Sequence, residues 1–173
     1  MLSFEFAVLD GIQNHLRTSF LDAAMPLISR LGDAGIVWLL MTLVLVIMPA
    51  TRKIGLVVSV ALAVVSLFCN VIAKPLVGRA RPYDVNTAVH LLVKRLTDFS
   101  FPSGHTAASF AVVFALYFIG CELWKFSLVL AVLIAFSRLY LYVHYPSDVM
   151  AGVFLGAAAA RCAVCLSGLF VCA

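Results

Sequence analysis

The chain is 173 residues long, 64% hydrophobic and 12% charged, with a formal net charge of +4 at neutral pH. A soluble domain carries about 25% charged residues. This composition therefore excludes an ordinary soluble globule and points to a polytopic membrane protein, one domain over residues 1–173 with no Pro-, Ser- or Gly-rich linker. The twelve Lys and Arg residues are scattered through apolar runs, which excludes a nucleic-acid partner and suits anionic headgroups or phosphates instead.

The segment 1–31 comes first. Met1-Leu-Ser-Phe-Glu5 lacks a basic stretch followed by an apolar core, so no cleavable signal peptide is expected and the spans direct insertion. Glu5, Asp10, His15, Arg17 and Asp22 are too many charges for a lone span in lipid. Leu2, Phe6, Leu9, Leu16 and Phe20 form a rough helical stripe, which predicts one or two amphipathic helices at the interface or packed on the bundle. A sixth span that shields its polar face is the alternative.

A span needs about 20 mostly apolar residues. Five stretches meet this, 34–50, 54–73, 104–120, 124–143 and 147–170, with breaks at Pro49–Lys53, Gly120–Lys125 and Pro146. The fold class expected is an all-α transmembrane bundle of five to six spans with an N-terminal amphipathic helix. The one long connection, 75–102, is expected outside the membrane over the site, because connections beyond about 15 residues are often functional. Within it Val89, Leu92, Val93 and Leu96 have helical spacing beside Lys94 and Arg95, which suggests a lid on the headgroups or a plain surface helix. Ala157–Ala160 suits close helix packing. The five cysteines, Cys69, Cys121, Cys162, Cys165 and Cys172, lie mostly in apolar runs. Cys162 and Cys165 have C-x-x-C spacing without a second pair or a histidine, so they read as small apolar helix residues and not as a metal site.

Three polar clusters interrupt this chain: Lys74-Pro-Leu-Val-Gly-Arg-Ala-Arg81-Pro82, Pro102-Ser103-Gly104-His105, and Ser137-Arg138 followed by His144 and Asp148. Such groups are costly near lipid and mark a functional site. Topology brings them together. The first follows the second span, the next opens the third span, and the last ends the fourth, so all share one membrane face; an added N-terminal span changes nothing. Ser103 is a good N-cap, and a helix starting at Gly104 presents free N–H groups to an anion. Lys74, Arg81 and Arg138 can surround the same anion, Arg with a planar fork that matches phosphate oxygens. More than one negative charge is implied, and a phosphoryl group fits. Asp148, in the first turn after Pro146, is placed to hold the His144 ring. His105 is a second ring suited to proton transfer. His15 and His90 read as interfacial residues. Arg79 is open, an added charge on the phosphate being one role for it.

These clusters resemble the three-part signature of the type-2 phosphatidic acid phosphatase superfamily, K-x6-R-P, P-S-G-H and S-R-x5-H-x3-D, at every defining position. The resemblance covers roughly 50–165. It implies that His144 is the nucleophile through a phosphohistidine, that Asp148 orients it, and that His105 protonates the leaving oxygen. Lys74, Arg81, Ser103, Gly104 and Arg138 would bind the phosphoryl oxygens, with no metal and no cofactor. Vanadium haloperoxidases share the signature, but they are large soluble proteins and this chain is not. Compact bacterial members look most similar. Their substrates include undecaprenyl diphosphate, phosphatidylglycerol phosphate and phosphatidate. The competing reading is a non-catalytic phospholipid-binding membrane protein or anion transporter, although binding alone needs only the cations. Transfer to an acceptor other than water is a third.

The resemblance also implies a plasma-membrane protein with its site on the extracytoplasmic face. Arg52, Lys53, Lys125 and Arg161 fall on the opposite face, against Lys74, Arg79, Arg81, Lys94, Arg95 and Arg138 on the site's face. The positive-inside rule alone would invert the protein. With the cations that the site needs set aside, the count is near balance.

Overall fold

A computed structural model describes residues 2–171. Among these, helices are the only regular elements: α1 (Leu2–His15), α2 (Ser19–Leu31), α3 (Ile36–Ile47), α4 (Arg52–Leu67), α5 (Lys74–Val77), α6 (Pro82–Val85), α7 (Gly104–Ile119), α8 (Leu123–Tyr140) and α9 (Pro146–Val171). Three helical stretches are long and apolar enough to cross a membrane: Arg52–Val85, Leu123–Tyr140 and Pro146–Gly168. A fourth arises if α2 and α3, bent by 47° at their break, count as one span. The bend follows from Gly32 and from left-handed backbone at Ala34 (φ 50°) and Gly35 (φ 70°). Helix α7 is apolar but only 16 residues long. It runs from a Ser103 N-cap to Gly120 in the left-handed region, the conformation glycine adopts without penalty.

Helix α7 lies at the centre, packed most extensively on α9 and also on α8 and α4. The core between them holds Trp38, Val58, Ala61, Ala111, Leu116, Ile134 and Ala160. The outer faces keep Leu40, Leu43, Leu67, Val71, Phe126, Val129 and Phe154 exposed. Apolar side chains on that scale around a helical bundle belong in lipid.

Two local devices aim the polar residues. First, α4 ends in a π-helical turn, Phe68–Ala73, before α5 begins at Lys74. Such turns shift the helix register and are frequent at functional sites; here Cys69, Asn70 and Lys74 all reach one cavity. Second, α9 crosses α7 at Gly152 and Gly156. A Cβ at Gly156 would lie 2.7 Å from the Ala107 oxygen and the Ala111 nitrogen, and one at Gly152 would lie 2.9 Å from the Ser103 oxygen. This close approach brings the α9 N-terminus against the α7 N-terminus, and the Ser103 N–H donates to the Asp148 carbonyl at 3.1 Å.

Helices α1 and α2 pack on the end of α8 and the turn after it. Leu9 and Met25 join Tyr83, Tyr140, Tyr142 and Tyr145 in a second core. Their charges are spent there: Tyr140 donates to Asp22 and Tyr142 to Asp10, each at 2.7 Å, and Gln13 donates to the Tyr140 carbonyl.

Two expectations need correction. The fourth apolar stretch is helical only to Tyr140, because Tyr142 takes a left-handed φ of 59° and breaks the helix. The segment 86–103 contains no helix, despite the spacing of Val89, Leu92, Val93 and Leu96. Val89, Leu92 and Val93 pack instead on the second core, and Tyr83 exchanges hydrogen bonds with the Leu96 backbone. Burial against tyrosines replaces the periodic helical face.

Candidate active site

A cavity of about 390 Å³ opens where the three polar clusters meet, lined at one end by Lys74, Arg81, Gly104, His105, Arg138 and His144. Leu39, Leu62, Val65 and Ala108 give it apolar wall, and Ser66, Asn70 and Asp98 add further polar groups. Of the eight sequence-predicted site residues, Ser103 and Asp148 stand outside this lining. Ser103 is buried as the α7 N-cap, its hydroxyl 2.9 Å from that of Thr106. Asp148 is fully buried behind His144.

His144 sits in the turn between α8 and α9 and is 2% exposed. The left-handed Tyr142 that aims this turn is held by Asp10 and Asn86. Arg81 Nη1 points at His144 Nε2 from 3.3 Å. A donor facing Nε2 selects the tautomer with its proton on Nδ1. The nearest partner of Nδ1 is Asp148 Oδ2 at 3.5 Å, too long for a good hydrogen bond, and no other partner reaches it among the described residues. Burial pushes the imidazole well below its ordinary pKa; Asp148 opposes this, while Arg138 and Arg81 reinforce it. Burial thus favours the neutral imidazole, and His144 lines the cavity beside Arg81.

Asp148 is itself heavily engaged. Oδ2 accepts from Ser100 at 2.5 Å and from the Tyr145 N–H at 2.9 Å, and Oδ1 accepts from Arg79 Nη1 at 2.5 Å. Arg79, left open by the sequence, is thus a partner of Asp148 and not a wall of the cavity. Its other arm meets the buried Glu5 of α1 at 2.5 Å, its guanidinium stacks on Tyr145, and Glu5 also accepts from the Ser147 backbone and hydroxyl. The N-terminal helix is tied by charge to the carboxylate behind His144. Nothing in the spacing of Glu5 signalled this.

The cations divide into held and open. Lys74 meets Asn70 at 3.1 Å and Asp98 at 2.5 Å. Arg81 is 2% exposed and binds Asp98 Oδ1 at 2.8 Å, the Asp98 carbonyl at 2.9 Å and the Val143 carbonyl at 2.7 Å. Asp98 sits between two cations that would grip a phosphate. Burial raises its pKa, but Lys74 and Arg81 outweigh that and hold it at about 2. Arg138, 3% exposed, donates to Ser29, while its Nε has no partner among the described residues. A buried N–H without an acceptor costs about 1–3 kcal/mol, and an anion in the cavity would satisfy it. His105 completes the wall, its Nε2 2.9 Å from Asp33 Oδ1. Sequence reading missed Asp33 and Asp98; Asp33 lies between glycines at a helix break, a signal for a shaped turn.

The model of the PAP2 superfamily matches residues 52–170. The chain is 33% identical over 144 residues to an undecaprenyl-diphosphatase of Sulfolobus acidocaldarius, covering 83% of this chain and 69% of that protein. It is 37% identical over 155 residues to a decaprenylphosphoryl-5-phosphoribose phosphatase of Mycobacterium tuberculosis, covering 88% and 85%. Of two further relatives it spans 51% and 54% of the length. The crystal structure of Aquifex aeolicus LpxE superposes with a TM-score of 0.79 at 25% identity, covering 92% of this chain and 93% of that one.

Proposed function

The chain belongs to the PAP2 superfamily and is a hydrolase of phosphate esters, and from that premise we propose that it removes a terminal phosphate from a membrane lipid phosphate or diphosphate through a phosphohistidine at His144. The observation that carries this reading is a buried histidine that lines one cavity with Lys74, Arg81 and Arg138, its Nε2 3.3 Å from the Arg81 guanidinium. A non-catalytic phospholipid-binding or anion-transport role needs the cations but has no use for the histidine.

The proposed steps use these positions as follows. The phosphoryl oxygens lie among Lys74, Arg81, Arg138 and the α7 N-terminus at Gly104, with Ser103 fixing that terminus. Catalysis of phosphoryl transfer is mostly positioning and charge stabilisation, which these groups supply without a metal. His144 Nε2 attacks phosphorus as the bond to the lipid oxygen breaks, and His105 gives that oxygen a proton. Asp148 stabilises the Nδ1–H side of His144. Water then attacks the phosphohistidine, losing a proton to His105, and releases phosphate. The apolar walls at Leu39, Leu62 and Val65 receive the first part of the lipid chain. Both relatives above act, by their names, on polyprenyl-linked phosphates, so a polyprenyl phosphate or diphosphate is the substrate class proposed, ahead of phosphatidylglycerol phosphate and phosphatidate.

The proposed setting is a bundle of five to six spans in one domain, with residues 1–31 amphipathic, the 75–102 connection over the site, and the site on the extracytoplasmic side. The decisive experiment is phosphate release by purified protein from a panel of lipid phosphates. Release is expected to survive EDTA, to fall below detection in His144→Ala, and to yield an acid-labile phosphohistidine on rapid quench. EDTA-sensitive turnover, or full activity in that variant, refutes the proposal. An impermeant aryl phosphate cleaved by intact cells supports the face; cleavage only after lysis reverses it.

A further inference from the structure

The His144–Asp148 pair has a counterpart at the other histidine. His105 Nε2 lies 2.9 Å from Asp33 Oδ1, across a separation of 72 residues. Asp33 belongs to the broken turn between α2 and α3, outside the three clusters. That turn is shaped to the ring: a Cβ at Gly32 would lie 2.7 Å from His105 Cδ2, so a larger residue there would push the ring from its place. The left-handed Ala34 and Gly35 then carry the chain on into α3. We propose that Asp33 is the positioning residue for the proton donor, holding His105 Nε2–H so that the other ring nitrogen, Nδ1, carries the proton delivered to the leaving lipid oxygen. The proposal rests on the phosphatase reading above and extends it to a residue outside the signature.

The charge balance gives the reason. Around the cavity His105 meets Lys74 from the end of the π turn, Arg81 from the following loop and Arg138 from α8, with His144 opposite. Asp98 lies beside Lys74 and Arg81 and is paired to both. Three cations oppose a protonated imidazole. Asp33 is the carboxylate in hydrogen-bond contact with the ring, and it offsets them. In the first step the bond from His144 Nε2 to phosphorus forms, the phosphorus–lipid oxygen bond breaks, and the Nδ1 proton moves to that oxygen. His105 is left neutral with Nε2–H still on Asp33, ready to take a proton at Nδ1 from the attacking water in the second step.

The test uses the leaving group. A lipid alkoxide needs a proton to depart; an aryloxide such as 4-nitrophenolate does not. General acid catalysis is worth roughly 100- to 10,000-fold, and losing the positioning carboxylate forfeits part of it. Asp33→Asn is expected to lower kcat/KM for a polyprenyl phosphate by about tenfold or more, to change 4-nitrophenyl phosphate hydrolysis little, and to move the basic limb of the pH–rate profile to lower pH. Asp33→Glu is expected to restore much of the lipid activity. Asp33 is 57% exposed, so the variants keep a folded scaffold. An equal loss on both substrates, or no loss on either, overturns the role of Asp33. His105→Ala is the reference: if it too shows no dependence on the leaving group, the proton-donor assignment falls with it, and if it alone does, only the part given to Asp33 falls.

Discussion

Asp98 is the residue whose role the motifs give least warning of. It pairs with Lys74 and Arg81, the two cations that precede it in the chain, and its carboxyl is held at about 2. Because the folded value is depressed below the ordinary 3.8, its ion pairs stabilise the site fully above about pH 4, and that contribution is lost as pH falls towards 2. Across the working range Asp98 is an anion competing with phosphate for the same cations. Asp98→Asn is therefore expected to strengthen product inhibition by inorganic phosphate several-fold, since it frees both Lys74 and Arg81 from a competing carboxylate. Weaker inhibition would mean that Asp98 orders the two cations for the ligand instead. At this scale the sequence named the residues of the cavity well. Ser103, expected to touch the phosphoryl oxygens, lies outside the lining as the buried N-cap of α7, and Asp148 lies behind His144, because side-chain direction at a helix N-terminus depends on the turn that precedes it.

Among the elements, the α7–α9 crossing decides whether the site exists. Gly152 and Gly156 are four apart, the spacing of close helix packing; reading the sequence alone singles out only the neighbouring Ala157–Ala160 run. Which helix it would face was not legible. Substituting Gly156 by Leu drives a side chain into the α7 backbone at Ala107 and Ala111. Overpacking costs about 1–3 kcal/mol or more when backbone must move, so Gly156→Leu is expected to lower the melting temperature in detergent and to reduce activity by separating Asp148 from Ser103. Gly11→Ala, in α1 with nothing near its Cβ position, is expected to be neutral or to stabilise by up to about 1 kcal/mol. If both variants behave alike, the crossing is not what holds the two N-termini together.

Over the whole molecule, the N-terminal helices serve as a brace. Glu5 and Arg79 join α1 to Asp148, and the second core joins α1 and α2 to the turn that carries His144. Removing one partner of a buried charge pair costs about 3–5 kcal/mol. Glu5→Ala is expected to lose stability of that order and to lower kcat more than it raises KM, because the cavity cations stay in place. An unchanged kcat would separate α1 from the chemistry. The apolar helical character and the three polar clusters were legible in the chain alone, because hydropathy and motif spacing are local and countable. The tertiary structure decided what no spacing records. It joined Glu5 to Arg79, Asp33 to His105 and Asp98 to Lys74, pairs 74, 72 and 24 residues apart. Such contacts depend on how helices bend at Gly32, shift register at the π turn and cross at Gly156, and the local pattern of side chains leaves those angles unspecified.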